Sequence, residues 1–143
     1  MFKVMVVFAL LGADKLTFEK LPQPVRAAVQ KAFGSAKVVG VDEEKEEGKV
    51  VYEVKVKQEG HIVELSVHAD GTVVSEERAM KFEEAPSFVR NAITAAGGTV
   101  ESVEQVTEGG VVTFEAVVRK ADKSRVELVI GADGGVESKP ATE

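Results

Sequence analysis

Phe18-Glu19-Lys20-Leu21-Pro22-Gln23-Pro24-Val25-Arg26 returns later in the chain as Phe82-Glu83-Glu84-Ala85-Pro86-Ser87-Phe88-Val89-Arg90, displaced by 82 − 18 = 64 residues. Val51-Tyr52-Glu53 returns as Thr113-Phe114-Glu115, at 114 − 52 = 62. Val63-Glu64-Leu65 returns as Val126-Glu127-Leu128, and Ala69-Asp70-Gly71 as Ala132-Asp133-Gly134, both at 63. Offsets that wander by two residues over a whole segment indicate one folding unit written twice, with small changes in its loops.

The quoted stretch opens a helix in each copy. Pro22 suits the start of a helix, where its missing N–H is not needed. Behind it Val25, Ala28, Val29, Ala32 and Phe33 fall on one apolar stripe, and Gly34 stops the helix. In the second copy Pro86 opens, Val89, Ala92, Ile93 and Ala96 make the stripe, and Gly97-Gly98 closes it.

After each helix the period changes from that of a helix to that of a strand. Val50, Tyr52, Val54 and Val56 face inward, and Val51, Glu53, Lys55 and Lys57 outward. The next strand sends Val63, Leu65 and Val67 inward and Ile62, Glu64 and Ser66 outward. A two-residue turn at Glu59-Gly60 pairs Lys55 with Glu64 and Val54 with Leu65, so turn length and alternation agree on one register. The second copy repeats this with Val112, Phe114, Ala116 and Val118 against Val126, Leu128 and Ile130.

A strand is expected before each hairpin, near 37–43 and 99–107. Another follows each Asp-Gly turn, at 72–75 and 135–137. Residues 77–81 read as a linker and 138–143 as a frayed tail. The fold expected is α+β: two tandem repeats, each a helix on a four-stranded antiparallel meander, spanning 14–78 and 79–143.

Leu21-Pro22, Val25, Ala28-Val29, Phe33-Gly34, Tyr52-Glu53-Val54 and Asp70-Gly71-Thr72-Val73 together resemble the PepSY-like group. These small bacterial domains are related in fold to the beta-lactamase-inhibitor protein. Both copies fit the pattern, with Ala85 for Leu21 and Ala116 for Val54 in the second. The resemblance implies a secreted or periplasmic, non-catalytic domain that binds or inhibits peptidases or serves as an envelope binding module. Its motifs are structural, and no set of binding residues transfers with it.

Composition narrows the classes further. The 143 residues are 44% hydrophobic and 29% charged, the balance of a globular protein. A net charge of −6, with no Lys/Arg cluster, speaks against nucleic acid, which needs a basic stripe. With no cysteine there is no disulfide, thiol nucleophile or Cys-based zinc site. At the N-terminus, Met1-Phe2-Lys3 precedes an apolar run from Val4 to Leu11. Residues 1–13 read either as a secretory signal missing its front or as an extra strand or helix. The run is too short to span a bilayer, which takes about 20 residues.

Candidate chemistry is sparse. His61 and His68 are the only histidines, and Gly131 replaces His68 in the second copy, so neither reads as a metal ligand. Asp42-Glu43-Glu44 and Glu46-Glu47 read as a solvated hairpin, with loose cation binding as the alternative. Glu53, Glu64, Glu115 and Glu127 recur on the outward face, where cross-strand ion pairs account for them. No serine lies in a nucleophile elbow, and no glycine motif precedes a helix to cradle phosphate. No cofactor and no enzyme activity is expected.

The outward face remains. If the helices cover only the other side, apolar residues there stand among charges, the pattern of a protein or peptide partner site. The residues assigned to it are Val51, Lys55, Lys57 and Ile62 in the first copy and Val117, Arg119 and Val129 in the second.

Overall fold

The computed structural model describes residues 15–141. The signal-like segment assigned to residues 1–13 lies outside the described residues. Two compact units divide between Glu76 and Glu77. The described part of the first unit begins with a short 3-10 helix, Phe18–Lys20, and an α-helix, Gln23–Phe33 (α1). Strands Lys37–Glu46 (β1), Lys49–Gln58 (β2), His61–His68 (β3) and Val73–Met80 (β4) follow in sequence order. After β4 come the 3-10 helix Phe82–Glu84 and the α-helix Ser87–Ala96 (α2). Strands Thr99–Glu108 (β5), Val111–Arg119 (β6), Arg125–Gly131 (β7) and Val136–Pro140 (β8) then complete the described chain, again in order. The fold is α+β, with antiparallel ladders.

Local chemistry explains the helices. Pro22 and Pro86 stand at the N-caps, where a missing N–H leaves no bond unmade. In α1, Val25, Val29 and Phe33 are buried, and in α2, Val89 and Ile93. Burying one such side chain stabilises by about 1.5–3 kcal/mol. Ala32, expected in the apolar stripe, is exposed at its margin. Both helices end on a glycine of positive φ, Gly34 and Gly97, which a side chain would strain.

Under α1 lie Val54, Val56, Val63, Leu65 and Val67, with Leu21 sealing the helix start. Under α2 lie Phe114, Ala116, Val118, Leu128 and Ile130, with Ala85 in the place of Leu21. Phe114 takes the place of Tyr52, and Phe88 sets its ring edge-on to it at 5.9 Å.

The central hairpin register is the one expected: Gln58 pairs with His61, Lys55 with Glu64 and Val54 with Leu65. Glu59 and Gly60 both have positive φ, the primed two-residue turn whose twist matches the strands. Glu47-Gly48 makes the same turn between β1 and β2. Each first strand carries one irregularity, at Val38/Gly40 in β1 and Val100/Ser102 in β5. The residue displaced from the ladder is Val39 in one case and Glu101 in the other.

Three expectations are corrected. Residues 77–80 belong to β4, not to a linker. Ser138-Lys139-Pro140 form the end of β8, paired with Leu128, Glu127 and Val126, and the Ala141 N–H donates to the Arg125 carbonyl. Neither stretch alternates apolar with polar, so the periodicity missed them; ladder pairing places them, with Met80 packed on the second core and Lys139 paired with Glu127. Pro140 is tolerated because β8 is an edge strand of its unit. The acidic run of 42–47 is one arm and the turn of a hairpin, as expected, but it is not solvated throughout: Glu44 in β1 is 5% exposed.

Candidate partner-binding face

Alternation along β2 and β3 puts Val51, Glu53, Lys55 and Lys57 on the side away from α1, opposite His68, Ser66, Glu64 and Ile62. Exposure along this side is graded. Val51 is 0% and Glu53 1% exposed. Lys55 is half-buried, Lys57 is exposed, and Ile62 is 40% exposed. Val51 therefore offers no surface to a partner, a correction to its assignment. Alternation fixes which side a residue faces, not whether that side is open. Val51 stands between Glu44 on β1 and His68 on β3, and Glu44 is itself buried.

In the second unit Val117 and Val129 are half-buried and Arg119 is exposed. Val117 faces Glu127, Val129 faces Glu115, and Arg119 faces Arg125. Val106, on the same side of β5 opposite Thr113, is 7% exposed. In both units, then, Lys57 with Ile62 and Arg119 with Arg125 hold the open end of the face, near the β2–β3 and β6–β7 connections.

Ion pairs span the face as expected. Lys55 Nζ lies 3.7 Å from Glu64 Oε2, and Lys139 Nζ 3.8 Å from Glu127 Oε2. The sequence reading missed the strongest grouping. Arg119 Nε donates to Glu101 Oε1 at 2.6 Å, and Arg125 Nε to Glu101 Oε2 at 2.9 Å, with Arg125 Nη2 at 2.8 Å. Partial loss of solvent raises the Glu101 carboxyl. The hydrogen bonds and charges of the two arginines outweigh that and hold it below the usual carboxylate range. The signal that could have found this group is the irregularity in β5, since a bulge re-aims one side chain.

The histidines stay apart from any ligand cluster among the described residues. His61 Nδ1 sits 3.0 Å from the Glu59 carbonyl oxygen, and His68 Nδ1 3.5 Å from that of Val50. Three carboxylates do converge: ligand oxygens of Glu44, Glu46 and Glu53 lie within 4.8 Å of one another. An open, alanine-rich depression beside α1, lined by Pro24, Ala28, Ala32 and Val73, carries only Lys31 and Asp70 as charged groups. No helix among the described residues is long and apolar enough to cross a membrane.

No family model and no curated protein matches the chain. Solved structures do. An inferred periplasmic protein of Bacteroides eggerthii superposes with a TM-score of 0.72 at 18% identity, covering 84% of this chain and 88% of that one. A DUF2874 family protein of Bacteroides uniformis gives 0.71 at 20% identity, covering 83% and 88%. A BLIP-like protein of Bacteroides fragilis gives 0.69 at 18% identity, covering 86% and 88%. Identities this low carry the fold alone: this chain has a BLIP-like α+β fold.

Proposed function

We propose that this chain is a non-catalytic binding module of the cell envelope or the secreted fraction, built as a tandem PepSY-like repeat over residues 14–78 and 79–143. Its ligand is a protein or peptide, a peptidase to be inhibited being the first candidate. Each unit offers its own outward face, with Lys55, Lys57 and Ile62 in the first and Val117, Arg119 and Val129 in the second. The observation that carries this reading is Ile62, 40% exposed and paired directly with Lys57. An apolar side chain open to solvent with a polar rim suits a partner site. The likeness to a BLIP-like protein and to an inferred periplasmic protein supports the class and the compartment.

The test is affinity capture from an envelope extract with the chain as bait, comparing wild type with Ile62→Asp/Val117→Asp. A peptidase or other protein held by the first and lost from the second supports the proposal. Equal retention by a folded variant rejects it.

A second reading, cation binding by the acidic strand β1, has one observation in its favour, the convergence of Glu44, Glu46 and Glu53. A ligand that binds only the folded state raises its melting temperature. A calcium-dependent rise that disappears in Glu46→Gln favours this reading, and a melting temperature indifferent to calcium removes it.

A further inference from the structure

The two units differ most sharply at the open end of the outward face. In the first, Lys57 pairs with Lys37 on one side and Ile62 on the other, and the residue displaced from β1 is Val39, 48% exposed. In the second, Arg119 pairs with Thr99 and Arg125, and the displaced residue is Glu101. A shared scaffold thus carries an anchored arginine pair in one copy only. The fold does not need it, because the first unit holds the same register without it.

The anchoring has a definite geometry. Glu101 takes the Nε edge of both guanidiniums, one on each carboxylate oxygen. Among the described residues the Arg119 side chain has no partner other than Glu101, and it is 55% exposed. Arg125, at 36%, uses Nε and Nη2 and leaves Nη1. Two planar forks are therefore held in place with donors to spare, the arrangement that takes a carboxylate by paired hydrogen bonds.

The surroundings add charge of the same sign. The loop between β6 and β7 contributes Lys123, whereas Lys120 donates its ammonium to the Ala96 carbonyl at the end of α2. The loop's acid, Asp122, is occupied within the loop by the Ser124 N–H at 2.9 Å and hydroxyl at 2.6 Å. Arg119 and Arg125 against Glu101, with Lys123 balancing Asp122 in the loop, leave a local excess of 3 − 2 = 1 positive charge on a chain of net charge −6.

We propose that Arg119 and Arg125, set by Glu101, receive a carboxylate side chain from an acidic segment of a partner protein. A free phosphate would need only the guanidiniums. Here Val117 lies two residues along β6 on the same face and gives the chain around that carboxylate an apolar contact. The inference rests on the outward face being the partner surface.

The probe is a fluorescein-labelled dodecapeptide of alternating glutamate and valine, titrated with the full chain and followed by anisotropy. Saturable binding is expected, weakened about tenfold or more in Arg119→Ser/Arg125→Ser, as for a truncated interface anchor. Arg119→Lys/Arg125→Lys keeps the charge but not the forks. It is expected to lose part of the binding, and serves if the serine variant does not fold. Three results would overturn the proposal: no saturable binding, equal binding of the lysine–valine counterpart, or displacement of the peptide by millimolar inorganic phosphate. A partner captured from envelope extract, lost with Ile62→Asp/Val117→Asp but retained by the arginine variants, would also reject the arginine pair while leaving the proposed function standing.

Discussion

At Gly98, just past α2, φ is +87, and a methyl group in place of its hydrogen would run into the backbone carbonyl of Arg119. At Gly97, φ is +74 but the same methyl group would meet nothing. The neighbours thus separate two costs of a side chain. Gly97→Ala should lower stability by about 1–3 kcal/mol, because φ 74 with ψ 170 lies in a region almost confined to glycine. Gly98→Ala should cost about 3 kcal/mol or more, because backbone must also move. Urea unfolding of the two variants measures the difference. The same scale separates two residues assigned to one binding face. Val51→Asp buries a charge and should cost about 3 kcal/mol or more, whereas Ile62→Asp at the open end should stay within about 0.5 kcal/mol. Equal effects would mean that the burial gradient along the face is wrong.

Among the elements, the helices and central hairpins were legible because each combines two independent signals. The Pro start and Gly stop agree with the apolar stripe, and the turn length agrees with the alternation. The 3-10 helices Phe18–Lys20 and Phe82–Glu84, the second half of β4 and the end of β8 carry one signal or none, and escaped. The candidate site was legible in part for a related reason. Alternation gave the side of every residue from Val51 to Lys57, but the burial of Val51 and Glu44 on that side belongs to the folded unit and not to one strand's pattern. Glu101 was overlooked because its displacement from the β5 ladder has no signature in composition. One element still carries a correctable strain: Glu59 holds φ +50 in a turn that favours Asn or Gly. Glu59→Asn should therefore stabilise the chain by about 0.5–1 kcal/mol, read as a raised urea midpoint at unchanged slope.

For the whole molecule, the perturbed acids set the response to pH. Asp70 is held low first by the Thr72 backbone N–H and then by its side chain, and Asp122 by the Ser124 hydroxyl and N–H. Glu101 is held low by its two arginines against partial desolvation. Groups lowered in the folded state stabilise it fully above their ordinary values, 3.8 for the aspartates and 4.5 for the glutamate, and lose that contribution as pH falls through the lowered ones. Stability should fall in acid, and Glu101→Gln should flatten part of that limb; an identical limb would show that the arginines do not hold the carboxylate. Tyr52 acts at the other end, raised by burial and then by Glu43, so its contribution is full below 10.0 and lost as pH climbs further. The claim that matters most, binding through the open end of the outward face, is tested most directly by hydrogen exchange on the chain with its captured partner. Slowed exchange confined to the ends of β2, β3, β6 and β7 around Lys57, Ile62, Val117 and Arg119 is the expected result. Protection confined to α1 and α2, with those strand ends unchanged, would contradict it.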